Sequence, residues 1–272
     1  MKRTLPLLKL SRSPLIYVVA QVNISAVVAM ERYVGEIQEK LRKSGFPGFV
    51  SGQLPEFVFE TPGARPVFNP ISRFEFLDRE GRTAIVLTPK SIAVHTNQHT
   101  SFDGLRAIVT MALETVHAAA HLQMHERIGL RYVNLIEPEA EEKLKDYLVP
   151  HLLGYDEASI GVSGSSFNFQ FEGNTPFGRL VSRHYPPQIG NMLPPDLAGI
   201  SLNYSYRHAP SQGRASLLDF DHAADFKGDF VVEEILETVE NLHDGLDVLF
   251  RNSVTTFALE KWGKEIATDR EK

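Results

Sequence analysis

The stretch from Ser91 to Ile136, SIAVHTNQHTSFDGLRAIVTMALETVHAAAHLQMHERIGLRYVNLI, constrains the fold more than any other. Phe102, Leu105, Ile108, Val109, Ala112, Leu113, Val116 and Ala120 recur at intervals of three and four. That is the period of one helix face, so residues 102–122 predict a long helix laid on a core. Thr100 or Ser101 offers a capping hydroxyl, and Asp103 puts negative charge where the helix dipole favours it. Residues 91–97 and 126–136 flank the helix and predict strands. On the second strand Ile128, Leu130, Tyr132, Asn134 and Ile136 share one face, and Gly129, Arg131, Val133 and Leu135 the other.

The remaining chain extends this unit. Residues 15–24 predict a strand, and 26–43 a helix closed by Lys40, Arg42 and Lys43 and stopped at Gly45. Five prolines between 46 and 70 predict an irregular excursion with one short strand at 56–60. Residues 72–78 and 82–88 predict a hairpin around Asp78-Arg79-Glu80-Gly81. An acidic-start helix at 137–154 follows, ending near Pro150. Strands at 158–172, 178–185, 199–208 and 214–222 then form an antiparallel meander before helices at 229–250 and 254–264. The expected fold is α+β: two related halves, 1–136 and 137–272, each an antiparallel sheet packed on a long helix in a ferredoxin-like or helix-grip-like way. One continuous domain is the alternative. Phe102-Asp103-Gly104 with Leu113-Glu114-Thr115-Val116 parallels Phe226-Lys227-Gly228 with Leu236-Glu237-Thr238-Val239, a sign of internal duplication offset by one residue.

Composition excludes several chemistries. The chain of 272 residues has no cysteine, so disulfides, zinc ribbons, iron–sulfur clusters and thiol nucleophiles are out of reach. Its first residues resemble a signal peptide, but Lys9, Arg12 and prolines 6 and 14 interrupt the apolar run, and Gln21 and Asn23 follow too soon for a cleavage site. No segment has the apolar length of a membrane span. The expectation is a cytoplasmic protein with no membrane partner. A net charge of −6 disfavours a wholly basic nucleic-acid binder. No dinucleotide, P-loop or nucleophile-elbow spacing occurs, so no cofactor is expected.

Three constellations could bear chemistry. His117 and His121 lie four apart on the predicted helix, a spacing that permits metal or haem ligation; the plainer reading is a helix end whose histidines complement the dipole. Asp219 and Asp221 share a strand face in LLDFDHAADF, with His222 and Asp225 nearby; such carboxylates hold a cation or simply face solvent. Arg179, Arg183, Arg207 and Arg214 oppose Asp196 alone between 176 and 216, with tyrosines interleaved. That pattern suits an anionic ligand or single-stranded nucleic acid, and equally an ordinary sheet with solvated arginines.

The strand ERIGLRYVNLI (126–136) resembles a sporadically distributed bacterial family of uncharacterised proteins marked by R-x-G-L-R-Y-x-N-x-I. Arg127, Gly129, Leu130, Arg131, Tyr132, Asn134 and Ile136 occupy its positions. Asp219, Asp221, His243, Phe250 and Trp262-Gly263 extend the likeness toward the C-terminus. The resemblance implies a compact α+β protein and supplies no catalytic residues. An asparagine between apolar neighbours needs a hydrogen-bond partner, so Asn134 is expected to tie a loop to the sheet. Arg131, on the opposite face, is expected to meet a partner or an anion. Arg131, Tyr132, Asn134, Arg179, Arg183 and Arg207 are therefore the candidate binding residues. The expected function is a non-enzymatic binding or accessory protein contacting a protein or small molecule, with a homodimer allowed. A metal- or haem-dependent enzyme using His117 and His121 is the rival, and nucleic-acid binding through 176–216 the third reading.

Overall fold

The computed structural model describes residues 8–58, 67–163, 168–187, 193–197, 199–204 and 215–266. The chain is α+β, built on one antiparallel sheet. After a short strand β1 (Leu8–Leu10) come β2 (Leu15–Ile24), α1 (Val34–Lys43), β3 (Gly48–Val58), β4 (Val67–Leu77), β5 (Thr83–Thr88), β6 (Ser91–Thr96), α2 (Phe102–Ala120) and β7 (Met124–Ile136). The second part adds α3 (Leu144–Tyr147), α4 (Glu157–Ile160), β8 (Phe169–Thr175), β9 (Gly178–Tyr185), β10 (Ser216–Ala224), β11 (Gly228–Asp229), α5 (Val232–Ser253), α6 (Thr256–Lys261) and β12 (Lys264–Ile266).

The strands lie in the order β3-β4-β5-β6-β2-β7-β10-β9-β8, with β11 also on β7, while β1 pairs with β12 to join the two ends of the chain. The two expected sheets are thus continuous through the β2–β7 pairing. Outward from that junction lie β6, β5 and β4 on one flank, and β10, β9 and β8 on the other; α2 follows β6, and α5 follows β10 and β11.

All three long helices cover one face. α1 packs on α2, α2 on α5, and α5 on β7 and β10. The parity read from β7 holds: Ile128, Leu130, Tyr132 and Ile136 join Leu105, Val109, Leu113, Ile235 and Leu242 in this core. Burial of such side chains is the main stabilising term, at about 25 cal/mol per Å² of apolar surface. Ser101 caps α2 by accepting from Gly104 N–H at 3.1 Å. A second, smaller core lies on the opposite face, where Leu193, Leu197 and Leu202 cover Tyr17, Val19, Ala84, Val86, Ala93, Val133 and Leu217.

Several expectations need correction. The excursion at 46–70 is mostly strand: β3 and β4 pair in register from Gly48↔Leu77 to Val58↔Val67. Prolines counselled against this, but β3 is an edge and β4 pairs with β5 only from Phe74 to Leu77. At Pro55 and Pro70 the ladder therefore makes few demands on a backbone donor. The helix expected from 26 begins as a 3₁₀ turn at Met30–Tyr33 and becomes α only at Val34. Residues 137–154 make no single helix, only α3 and a turn at Pro150–Leu152, because the segment is pinned to the α5–α6 corner. Val149 N–H donates to Ser253 O at 3.2 Å and Thr255 N–H to Tyr147 O at 2.9 Å. Of the strand expected at 158–172, the described residues are strand from Phe169 onward, α4 takes its start, and 164–167 lie outside the described residues. Residues 199–204 carry no strand; 205–208 lie outside the described residues. Among the described residues no helix is long and apolar enough to cross a membrane.

Candidate functional site

The helix-free face of the sheet is polar at its centre because of the parity that makes the other face apolar. In β7, Arg127, Gly129 and Arg131 point away from the helices, and Val19 and Gln21 do so in β2, opposite Arg131 and Gly129. Ala93 and His95 of β6 continue these rows, as does Asp221 of β10 on the other side. Gly129 and Ala93 are small, so the floor is hollow between longer neighbours. Residues 193–197 and 199–204 cross above it as a strap. Ser201 N–H donates to Glu75 Oε2 at 2.8 Å, Asn203 N–H to Gly81 O at 2.7 Å, and Asn203 Nδ2 to Glu80 O at 2.8 Å. Between floor and strap is a cavity of about 400 Å³, reached by Arg73, Arg127, Arg131, Gln21, His95 and Asp221 from the sheet and by Asp196 and Ile200 from the strap.

Its electrostatics centre on Asp219, which is fully buried on β10. Arg131 donates Nε to Asp219 Oδ1 and Nη2 to Oδ2, both at 2.7 Å, a bidentate pair that fixes the plane of the guanidinium. Tyr185 donates its hydroxyl to Oδ2 at 3.2 Å, and Arg183 Nη1 lies 3.5 Å from the same oxygen. Asp196 reaches down from the strap to Arg131 Nη1. Burial works against the Arg131 charge, but its hydrogen bonds to Asp219 and Asp196 outweigh it and raise its pKa above that of a free arginine. Beside Arg131, the Arg127 guanidinium folds over Gly129: a Cβ there would sit 2.7 Å from its Nη1. Arg127 Nε lies 3.1 Å from Asp225, and Nη2 3.8 Å from Asp221.

A buried patch continues from the cavity. His95 Nδ1 is 3.1 Å from the Tyr17 hydroxyl, and burial, aided by the Arg73 charge, pushes the His95 pKa down to about 4. The ring is therefore neutral at neutral pH. Arg73 Nε and Glu75 Oε1 lie 2.9 Å apart but off-axis, so that among the described residues neither atom makes a hydrogen bond.

No family model, curated protein or solved structure matches this chain.

The candidate residues divide sharply. Arg131 and Arg183 converge on Asp219, whereas Arg179 is not part of the cavity wall and donates to Glu172 at 2.7 Å. Arg207 lies outside the described residues. Tyr132 belongs to the other face, its hydroxyl 2.8 Å from His243 Nδ1, and His243 stacks on Phe102 at 4.0 Å between ring centroids. Asn134 is buried and does find a partner, but this is the Leu218 carbonyl of neighbouring β10 at 3.4 Å rather than a loop. The helical premise of the histidine pair does not hold. α2 ends at Ala120, and His121 is its left-handed cap at φ 50°, so the two rings are not stacked a turn apart on one face. His117 packs on Phe230 with centroids 5.2 Å apart. Among the described residues no group of three or more histidines and carboxylates is placed to hold a metal. Asp219 and Asp221 share a face as expected, and both serve as counter-ions to arginine.

Sequence reasoning passed over Arg73, Arg127, Gln21, His95 and Asp196. Arg127 had a signal, since alternation places it on the face of Gly129 and Arg131. Asp196 had none, because a loop residue's partner is set by where the loop lands.

Proposed function

We propose that this chain is a non-enzymatic binding protein, holding a small polar molecule between the helix-free face of the sheet and the strap at 193–204. One observation carries the reading: a cavity of about 400 Å³, within the size range of small-molecule pockets, walled by six strands, three of which contribute charged side chains, and roofed by one short segment. Its floor is rigid, because β2 and β7 are central strands. Its roof is fixed by a few hydrogen bonds and three leucines. Among the described residues of the cavity wall no nucleophile lies beside a base, which favours binding over catalysis.

The strand order also supports two related halves. β2 to α2 and β7 to α5 each run strand, helical segment, strands, long helix, and they meet at the β2–β7 pairing. On this reading the boundary lies before β7 rather than after Ile136, and the cavity sits over the junction. Recognition at a seam between duplicated units would explain why Arg127 and Arg131 lie in the motif strand.

Differential scanning fluorimetry of the native chain and an Ala93→Phe variant, against a panel of small polar metabolites, tests the reading. Ala93 lines the cavity, so its enlargement fills the floor. At least one compound should raise the melting temperature of the native chain and leave the variant unmoved. Equal shifts in both proteins, or none across the panel, would refute it.

A further inference from the structure

We propose that Arg127 and Arg131, separated by Gly129, form an oxyanion clamp, and that Asp196 is a built-in stand-in for the carboxylate or phosphate this clamp receives. The inference rests on the cavity reading above and names its ligand class. The two arginines lie four apart on one face of β7, and the missing side chain at 129 lets the Arg127 guanidinium fold toward its neighbour. Arg131 is held from behind by the fully buried Asp219, which uses its Nε and Nη2. Its remaining terminal nitrogen, Nη1, faces the strap and is taken by Asp196, whose second oxygen lies 3.4 Å from Nη2.

The two carboxylates on Arg131 differ in kind. The Asp219 side chain has no exposure, whereas that of Asp196 is 63% exposed and sits on a 3₁₀ turn. A surface ion pair of that sort is weak, since solvent screens it and both side chains regain freedom when it breaks. A ligand oxyanion with a second contact to Arg127 would replace Asp196 at little cost and use the guanidinium forks on both sides. Asp219, Asp225 and Glu75 keep their places beside Arg131, Arg127 and Arg73, so the incoming oxyanion takes over the charge of Asp196 alone. Arg73, ion-paired with buried Glu75 at 2.9 Å, forms the far wall.

Isothermal titration at fixed ionic strength, with citrate, inorganic phosphate and uncharged myo-inositol as probes, decides the matter. The proteins are the native chain, Asp196→Asn, Arg127→Gln and Ala93→Phe, each checked for native circular dichroism and melting temperature. Citrate or phosphate should bind the native chain, and whichever binds better identifies the oxyanion. Asp196→Asn should tighten binding roughly 2- to 5-fold, the worth of one exposed pair. Arg127→Gln should weaken it at least about tenfold, as expected for a lost charged hydrogen bond. Ala93→Phe should abolish it. Unchanged or weaker anion binding by Asp196→Asn overturns the proposal, as does anion binding that survives Ala93→Phe. Inositol binding alone, lost in Ala93→Phe, would remove the clamp and leave the cavity reading standing. No probe bound in a manner sensitive to Ala93→Phe counts against both.

Discussion

Replacing Asp219 by asparagine removes one charge from the least exposed carboxylate of the open face and leaves its volume unchanged. In the native protein this side chain has no solvent exposure, accepts two 2.7 Å bonds from Arg131 and one of 3.2 Å from Tyr185, and has Arg183 at 3.5 Å. Breaking a buried ion pair by neutralising one partner costs about 3–5 kcal/mol, because the other charge is left desolvated and unpaired. Arg131 retains 15% side-chain exposure and keeps Asp196, which places the expected loss near the low end, about 3 kcal/mol. With a urea m-value of roughly 3 kcal/mol/M for a chain of this size, the unfolding midpoint should fall by about 1 M. Trp262, the sole tryptophan, is 9% exposed and packs on Tyr147 and Phe250, so its fluorescence reports unfolding, with circular dichroism as the test of a single transition. Arg131→Met alone leaves Asp219 buried without its main partner and should cost a similar amount. The double variant should lose less than the sum by roughly 2 kcal/mol or more, since no charge is then stranded. A midpoint shift under about 0.3 M for Asp219→Asn, or strictly additive single effects, would refute the picture of Asp219 as the buried anchor of the site.

Two further outcomes follow from the packing. Burial holds the pKa of His95, His99 and His184 down to about 4. Between the unfolded value near 6.5 and about 4 the unfolded chain binds protons that the folded chain refuses, so stability should fall as pH drops through that window. Urea midpoints measured from pH 7 to pH 5 should show the decline, and His184→Asn should make it shallower; a flat profile would exclude these histidines as buried and neutral. Gly245→Ala should destabilise, although alanine in a helix normally gains up to about 1 kcal/mol over glycine. A Cβ at Gly245 would lie 2.6 Å from the ring of fully buried His222, whose Nδ1 sits 3.0 Å from Leu242 O. Overpacking of this kind costs about 1–3 kcal/mol, and a melting temperature that rises instead would show that α5 does not press on β10 there.

Local pattern made much of the scaffold legible. The α2 stripe, the Ser101 cap and the faces of β7 were all readable, because a period of 3.6 or 2 maps position onto face without any need of tertiary contacts. Elements failed where a local rule had an exception set by topology. Prolines 55 and 70 were read as breakers, yet they sit where β3 is an edge and β4 has no partner on its other side. The 137–154 helix failed because backbone bonds to the α5–α6 corner outcompete helix formation in a segment bounded by prolines. For the site, Arg131 and Arg183 were legible as charges on strand faces, but their shared partner Asp219 was not, since it lies 88 residues from Arg131.

By itself, then, the sequence determined which residues form the long helices, which face of each strand is apolar, and that a cysteine-free chain must build any site from charge and hydrogen bonds. Only the tertiary structure decided that strands β2 to β11 form one sheet, that all the long helices take one side of it, and that a leucine-bearing strap crosses the other. Those are long-range choices: a strand's alternation is the same whichever neighbour it pairs with. The partner settles what stands beside Arg131, and Asp219 behind it and Asp196 above it convert an arginine on a strand into a candidate seat for an anion.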